Sequence, residues 1–193
     1  MNDYLNDVLE AIQRVDVHYF KWNDYQDKTE LEKEMLEHVF CYEFYHQFRK
    51  IMECKNSKYH DLRLNGEIKK IIAEGYQNKI EKNRFPDIIL HEAQDTKNMQ
   101  ELVIEVKTVD NISPCKFLYD LLKIDTMISQ LEFKAGLFIA VNMDNEMLRS
   151  KIATALENND IKIKNRCKIY FMATASVRDE KCQEKFFMLN EQN

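Results

Sequence analysis

Asp87, Glu105 and Lys107 are the residues whose types and spacing point to chemistry. Two strongly β-forming segments carry them, Asp87–His91 and Leu102–Lys107, separated by a polar connection from Glu92 to Gln100. Side chains alternate along a strand, so Glu105 and Lys107 project from one face. A hairpin symmetric about Thr96 pairs Asp87 with Glu105, Ile89 with Val103 and His91 with Glu101. Directly opposed Cβ atoms lie about 4.5–5.5 Å apart, where two carboxylates repel. A divalent cation offsets that repulsion, because Mg²⁺ takes one or two carboxylates and completes its shell with water and phosphate oxygens. Lys107 brings an ammonium to the same spot.

Other residues have a chemical and a structural reading side by side. Glu43 and Gln47 fall within the apolar stripe of an upstream helix, at i+3 and i+7 from Phe40. Glu43 either reaches the strand acids or snorkels to solvent, and Gln47 either hydrogen-bonds its carboxylate or serves structure. His91 either approaches phosphate or pairs with Glu101. Lys116, Asp120 and Lys123 share a later helix, where substrate-backbone contact and surface charge pairing explain them equally. The run Lys162, Lys164, Arg166, Lys168 contains no acid and is followed by Tyr170 and Phe171. Such a run follows a nucleic-acid backbone or forms a solvated edge.

The elements that must position these groups are legible from periodicity. Residues 3–20 have helical spacing, and a polar stretch, Lys21 to Thr29, leads to a long helix from about Glu30 to Cys54 with its stripe at Leu36, Phe40, Phe44, Phe48 and Ile51. Residues 55–84 are mixed, with a turn expected at Asn65-Gly66 and an apolar group, Ile68, Ile71 and Ile72, that fits a strand or a short helix. After the two strands come an amphipathic helix from Pro114 to Phe133, a buried strand Gly136–Val141, a helix Asn145–Leu156 and a strand Cys167–Ala173. This order predicts an α/β fold, a central mixed β-sheet flanked by helices on both faces, in one domain spanning 1–193. Within it, 1–29 forms an N-terminal helical extension and 143–193 a C-terminal α-β extension.

Composition removes several alternatives. Three Gly and two Pro in 193 residues are far below average usage, and neither GxGxxG nor GxxxxGK[ST] occurs, which excludes Rossmann dinucleotide enzymes and P-loop NTPases. Five cysteines without a CxxC pair suggest reduced thiols rather than a disulfide framework or zinc ribbon. Cys41 and His46 are five apart on one helix and do not share a face, so a cysteine hydrolase is not supported. The five histidines are scattered, with no HExxH. The acidic start and the short apolar runs predict a cytoplasmic chain with no membrane partner. A net charge of −5 requires any polyanion site to use a local patch or a bound cation.

Pro86-Asp87 followed by Glu105-Val106-Lys107 after an apolar strand resembles the PD-(D/E)XK nuclease superfamily, whose fold is that of restriction endonucleases. The order of elements is similar to that core: a helix bearing a Glu, a three-stranded meander, a crossover helix and a further strand (α-β-β-β-α-β). CYEFYHQFRK, with Glu43, resembles its first core helix, and LNGEIKK (Leu64–Lys70) and YDLLKID (Tyr119–Asp125) are similar to flanking segments of some bacterial branches. The resemblance covers about residues 36–142, and the Q-x-x-x-Y signature of exonuclease-like branches is absent. It implies metal-dependent phosphodiester hydrolysis, on DNA in preference to RNA, with Mg²⁺ or Mn²⁺ as cofactor and a homodimer where both strands are cut. Asp87, Glu105, Glu43 and the Val106 carbonyl would hold the metal. Lys107 would orient or deprotonate water or stabilise developing oxyanions. His91, Gln47, Lys116 and Lys123 would contact substrate. The alternative is the same fold retained as a non-catalytic nucleic-acid-binding or protein-interaction module.

Overall fold

A computed structural model of the chain describes residues 4–20, 30–66, 86–92, 100–108, 113–157, 162–175 and 186–189, the side chains of 30–35 excepted. The helices are α1 (Leu5–Gln13), α2 (Glu30–Cys54), α3 (Asn56–Tyr59), α4 (Pro114–Leu131) and α5 (Asn145–Glu157). The strands are β1 (Leu62–Gly66), β2 (Ile88–Glu92), β3 (Gln100–Thr108), β4 (Ala135–Val141), β5 (Ile169–Thr174) and β6 (Phe187–Met188). They form one mixed sheet in the order β1-β2-β3-β4-β5-β6. The first three strands are an antiparallel meander, β3, β4 and β5 run parallel, and β6 returns antiparallel.

Strand alternation sorts the core into two layers. Leu102, Ile104 and Val106 face α1 and α2, packing with Phe40, Phe44 and Phe48. Val103 and Ile89 face the other way, toward Phe117, Leu121 and Ile124 of α4 and Leu148 and Ile152 of α5. Both faces are therefore covered, which explains why β4 is buried along its whole length and reads as a continuous apolar run. Each fully buried phenylalanine of α2 contributes on the order of 1.5–3 kcal/mol.

Helix α4 opens on Ser113, whose hydroxyl accepts from the Lys116 N–H, with Pro114 in the first turn. It closes on Glu132 in a left-handed conformation (φ 62°). Gly136 lets this helix lie close on β4: a Cβ there would come within 2.1 Å of Ile124 Cγ2.

Several expectations change. The expected turn at Asn65-Gly66 is the end of β1, a strand whose Leu62 and Leu64 enter the core. Cys167 lies in a 3₁₀ turn (Arg166–Lys168) ahead of β5. Ile68, Ile71, Ile72, the stretch 21–29 and the expected apex at Thr96 lie outside the described residues. Among the described residues, no helix is long and apolar enough to cross a membrane.

Candidate active site

The β2–β3 register positions the site. Ile88 lies opposite Ile104, Ile89 opposite Val103 and Leu90 opposite Leu102, the pairing expected from the sequence. Strand β2 begins at Ile88, so β3 overhangs it from Glu105 to Thr108. A backbone amide on that overhang still needs an acceptor. Asp87, the residue before β2, supplies it: the Val106 N–H donates to Asp87 Oδ2 over 2.7 Å. The bond ties Asp87 to the strand that carries Glu105 and Lys107.

Charged groups from two helices meet these strand residues. Glu105, fully buried, accepts from Lys123 Nζ at 2.6 Å, and Lys123 also lies 3.2 Å from Asp120. Lys107 Nζ donates to Glu37 Oε1 at 2.6 Å. Burial and the nearby Asp87 charge push Glu105 well above the ordinary carboxylate range, with Lys123 and Lys107 pulling it back. Glu37 and Asp120 are also raised, chiefly by burial. Burial opposes the charge on Lys107, but Asp87, Glu37, Asp120 and Glu105 together hold it above its usual value. Lys107 is thus firmly an ammonium. Burial and the charges of Asp87, Glu37 and Glu105 push the Cys41 thiol up, which suits a neutral thiol and not a nucleophile.

Four carboxylates, Glu37, Asp87, Glu105 and Asp120, thus surround two ammonium groups. Their oxygens are incompletely satisfied. Glu105 Oε1 and Glu37 Oε2 are buried without a hydrogen-bond partner. Leaving such an oxygen unpaired is costly. Among the described residues, no group of three or more His, Cys, Asp or Glu is arranged as a ready metal-ligand set. The lysines neutralise part of the acid charge in this arrangement. Carboxylate oxygens, two of them orphaned, are the donor chemistry that hard divalent cations take.

The helix acid brought to this cluster is Glu37, and this corrects the expectation for Glu43. Six residues separate them, which turns Glu43 about 120° round the helix from Glu37. Glu43 instead accepts from Gln47 Nε2 at 2.5 Å, one of the two readings open for Gln47. Lys123 makes the i,i+3 charge pair with Asp120 that was one of its two readings, but in the interior, buried against Glu105, rather than at the surface. Lys116 is exposed in the first turn of α4.

His91 is displaced from its expected pairing by a β-bulge. Leu90 still faces Leu102, but His91 faces Gln100, so Glu101 is the extra residue on β3. His91 lies within hydrogen-bond distance of Asn65 (2.7 Å), and Glu101 binds Lys134 at 2.5 Å. Burial holds the His91 imidazole below its ordinary pKa. It sits four residues along the strand from Asp87, about 13 Å away. That distance removes it from the acid cluster.

The basic run keeps its solvent exposure: Lys162, Lys164, Arg166 and Lys168 are all exposed. Asp125 of α4 anchors its backbone by accepting the N–H groups of Lys164 and Asn165.

No protein-family model, curated protein or solved structure matches this chain. The functional reading therefore rests on the site.

Proposed function

We propose that this chain is a metal-dependent nuclease of restriction-endonuclease-like fold that hydrolyses phosphodiester bonds, in DNA in preference to RNA. The observation that carries the reading is the bond from Val106 N–H to Asp87. It brings the PD acid beside the Glu-x-Lys strand, while two buried carboxylate oxygens stay unpartnered. The antiparallel meander, the α4 crossover and the parallel β4 support the same reading.

Asp87, Glu105, Glu37 and the Val106 carbonyl would hold one or two Mg²⁺ or Mn²⁺ ions. Such an ion supplies Lewis-acid charge and a more acidic bound water. The chain's own residues do the rest. The Val106 amide fixes Asp87. Lys123 and Asp120 hold the Glu105 side chain against α4. Lys107 presents an ammonium beside the acids, where it would steady the charge that builds on the phosphate oxygens.

A second reading has an observation in its favour. Lys107 and Lys123 each pair with an acid, so part of the cluster is neutral by itself, as a non-catalytic binding or interaction module requires.

One experiment separates the two. The protein is incubated with supercoiled plasmid, single-stranded DNA and RNA, with Mn²⁺ or with EDTA, beside a Lys107→Ala variant. The nuclease reading predicts cleavage that needs Mn²⁺ and collapses in the variant. Cleavage that survives EDTA or the alanine change contradicts the mechanism, and no cleavage of any substrate favours the binding module.

A further inference from the structure

Beside Asp87, on the α2 side, lies a cavity of about 390 Å³ lined by His38, Cys41, Tyr42, Tyr45, Gly66, Asp87 and Ile88. The acid cluster does not use its aromatic wall. Tyr45 is fixed, its hydroxyl donating to the Leu64 carbonyl of β1 at 2.8 Å. Tyr42 is 64% exposed, the most exposed of the large apolar or aromatic side chains among the described residues. His38, Tyr42, Tyr45 and Arg49 follow at i, i+4, i+7 and i+11, which places them along one face of α2 over about 16 Å. The face thus combines two tyrosines with a histidine at one end and a guanidinium at the other.

Two tyrosines beside a cavity, with the Arg49 guanidinium one turn further along and 3.5 Å from Glu53, suit unpaired nucleic acid: bases stack on the rings, and a cation meets a phosphate. Stacking needs a ring face free of the core, which Tyr42 offers. A paired duplex keeps its bases stacked on each other and cannot use it. Asp87 lines the cavity, so a strand lying in it passes that acid.

Resting on the nuclease reading above, we infer that this cavity is a base-stacking subsite for single-stranded nucleic acid, with an unpaired base on Tyr42 and its strand running along α2. The substrate class of the site is then single-stranded or end-frayed nucleic acid rather than intact duplex.

The test is fluorescence anisotropy with labelled octathymidylate and a labelled blunt hairpin, in Ca²⁺ to suppress cleavage. Wild type is expected to bind the single strand at least about fivefold tighter than the hairpin. Tyr42→Ala is expected to lose about fivefold or more on the single strand, the scale of one removed stacking partner, while Tyr42→Phe and Tyr42→Trp keep the affinity. Tyr42 is exposed, so these changes spare the core. Equal affinity for both probes, no binding of the single strand, or an unchanged Tyr42→Ala overturns the subsite. Cleavage in Mn²⁺ is scored separately. Cleavage without dependence on Tyr42 removes the subsite and leaves the nuclease standing. Tyr42-dependent binding without cleavage keeps the subsite and removes the nuclease.

Discussion

The backbone N–H of Val106 donates to Asp87 Oδ2 across 2.7 Å, so the acid before β2 is fastened to the strand that bears Glu105 and Lys107. The bond exists because β3 runs past the start of β2, and an overhanging amide there requires an acceptor. One carboxylate thus ends the ladder and faces the acid cluster.

Asp87→Asn separates these two tasks. The amide oxygen still accepts from Val106, but the charge is gone. Mn²⁺-dependent cleavage is expected to fall at least about 100-fold, with the thermal midpoint within a few degrees of wild type. Asp87→Ala loses the acceptor as well and is expected to cost a further ~1–3 kcal/mol in urea unfolding. Equal stability of the two variants would show that the Val106 bond contributes nothing.

Glu105 gives the pH prediction. Burial and the Asp87 charge raise its folded pKa well above the unfolded value. The folded state therefore holds a proton that the unfolded chain has released, and metal-free stability falls as pH rises above the ordinary carboxylate range. Glu105→Gln removes that liability, and Lys123 keeps Asp120 as a partner. In EDTA the variant is expected to melt at or above wild type at pH 8, with the difference shrinking toward pH 4, while cleavage is lost. A variant that melts far below wild type at pH 8 would make Glu105 a structural anion.

Asp7 behaves in the opposite sense and lies away from the site. It accepts from Lys55 Nζ and Lys58 Nζ, each at 2.7 Å, and from the Tyr59 hydroxyl at 2.6 Å, tying α1 to the end of α2 and to α3. Burial raises its pKa, but those three bonds outweigh it and leave it below the usual value. Its contribution is present above about pH 4 and lost as pH falls through the folded pKa. Asp7→Asn is expected to cost about 1–3 kcal/mol at pH 7, discounted for the partly exposed lysines, and much less at pH 3. Urea unfolding at both pH values checks this, and cleavage by the folded variant is expected to be unchanged.

Gly136→Ala tests how α4 is seated. The added methyl meets Ile124 Cγ2 at 2.1 Å, so the helix or the strand must move. The expected cost is roughly 1–3 kcal/mol. Because Lys123 adjoins Ile124, a weaker Mn²⁺ affinity is expected to accompany it. Thermal melts and metal titration read the two effects.

The two central strands were legible as short continuous apolar runs, Ile88-Ile89-Leu90 and Leu102-Val103-Ile104, which suit a sheet covered on both faces. Their register followed from pairing the polar ends, Asp87 with Glu105, about the polar connection between them. The bulge at Glu101 was not legible, since a single extra polar residue leaves no mark on the pattern. Strand β1 was hidden because Asn65-Gly66 carries the composition of a turn. Within the site, Glu43 drew attention as the acid inside the phenylalanine stripe, yet Glu37 is the one turned toward β3. Its available signal was the flank it shares with Cys41 and Tyr45, at i, i+4 and i+8. Asp120 and Lys123 had a clearer signal: charges at the inward period of a helix whose neighbours Leu121 and Ile124 are core.

Crystals of the wild-type protein soaked in Mn²⁺ would show whether the acids share an ion. Expected is an anomalous peak bounded by Asp87, Glu105 and Glu37, with Lys107 alongside and Lys123 still near Asp120. An empty site at saturating Mn²⁺, or a peak elsewhere with these carboxylates still closed on their lysines, would contradict a shared ion.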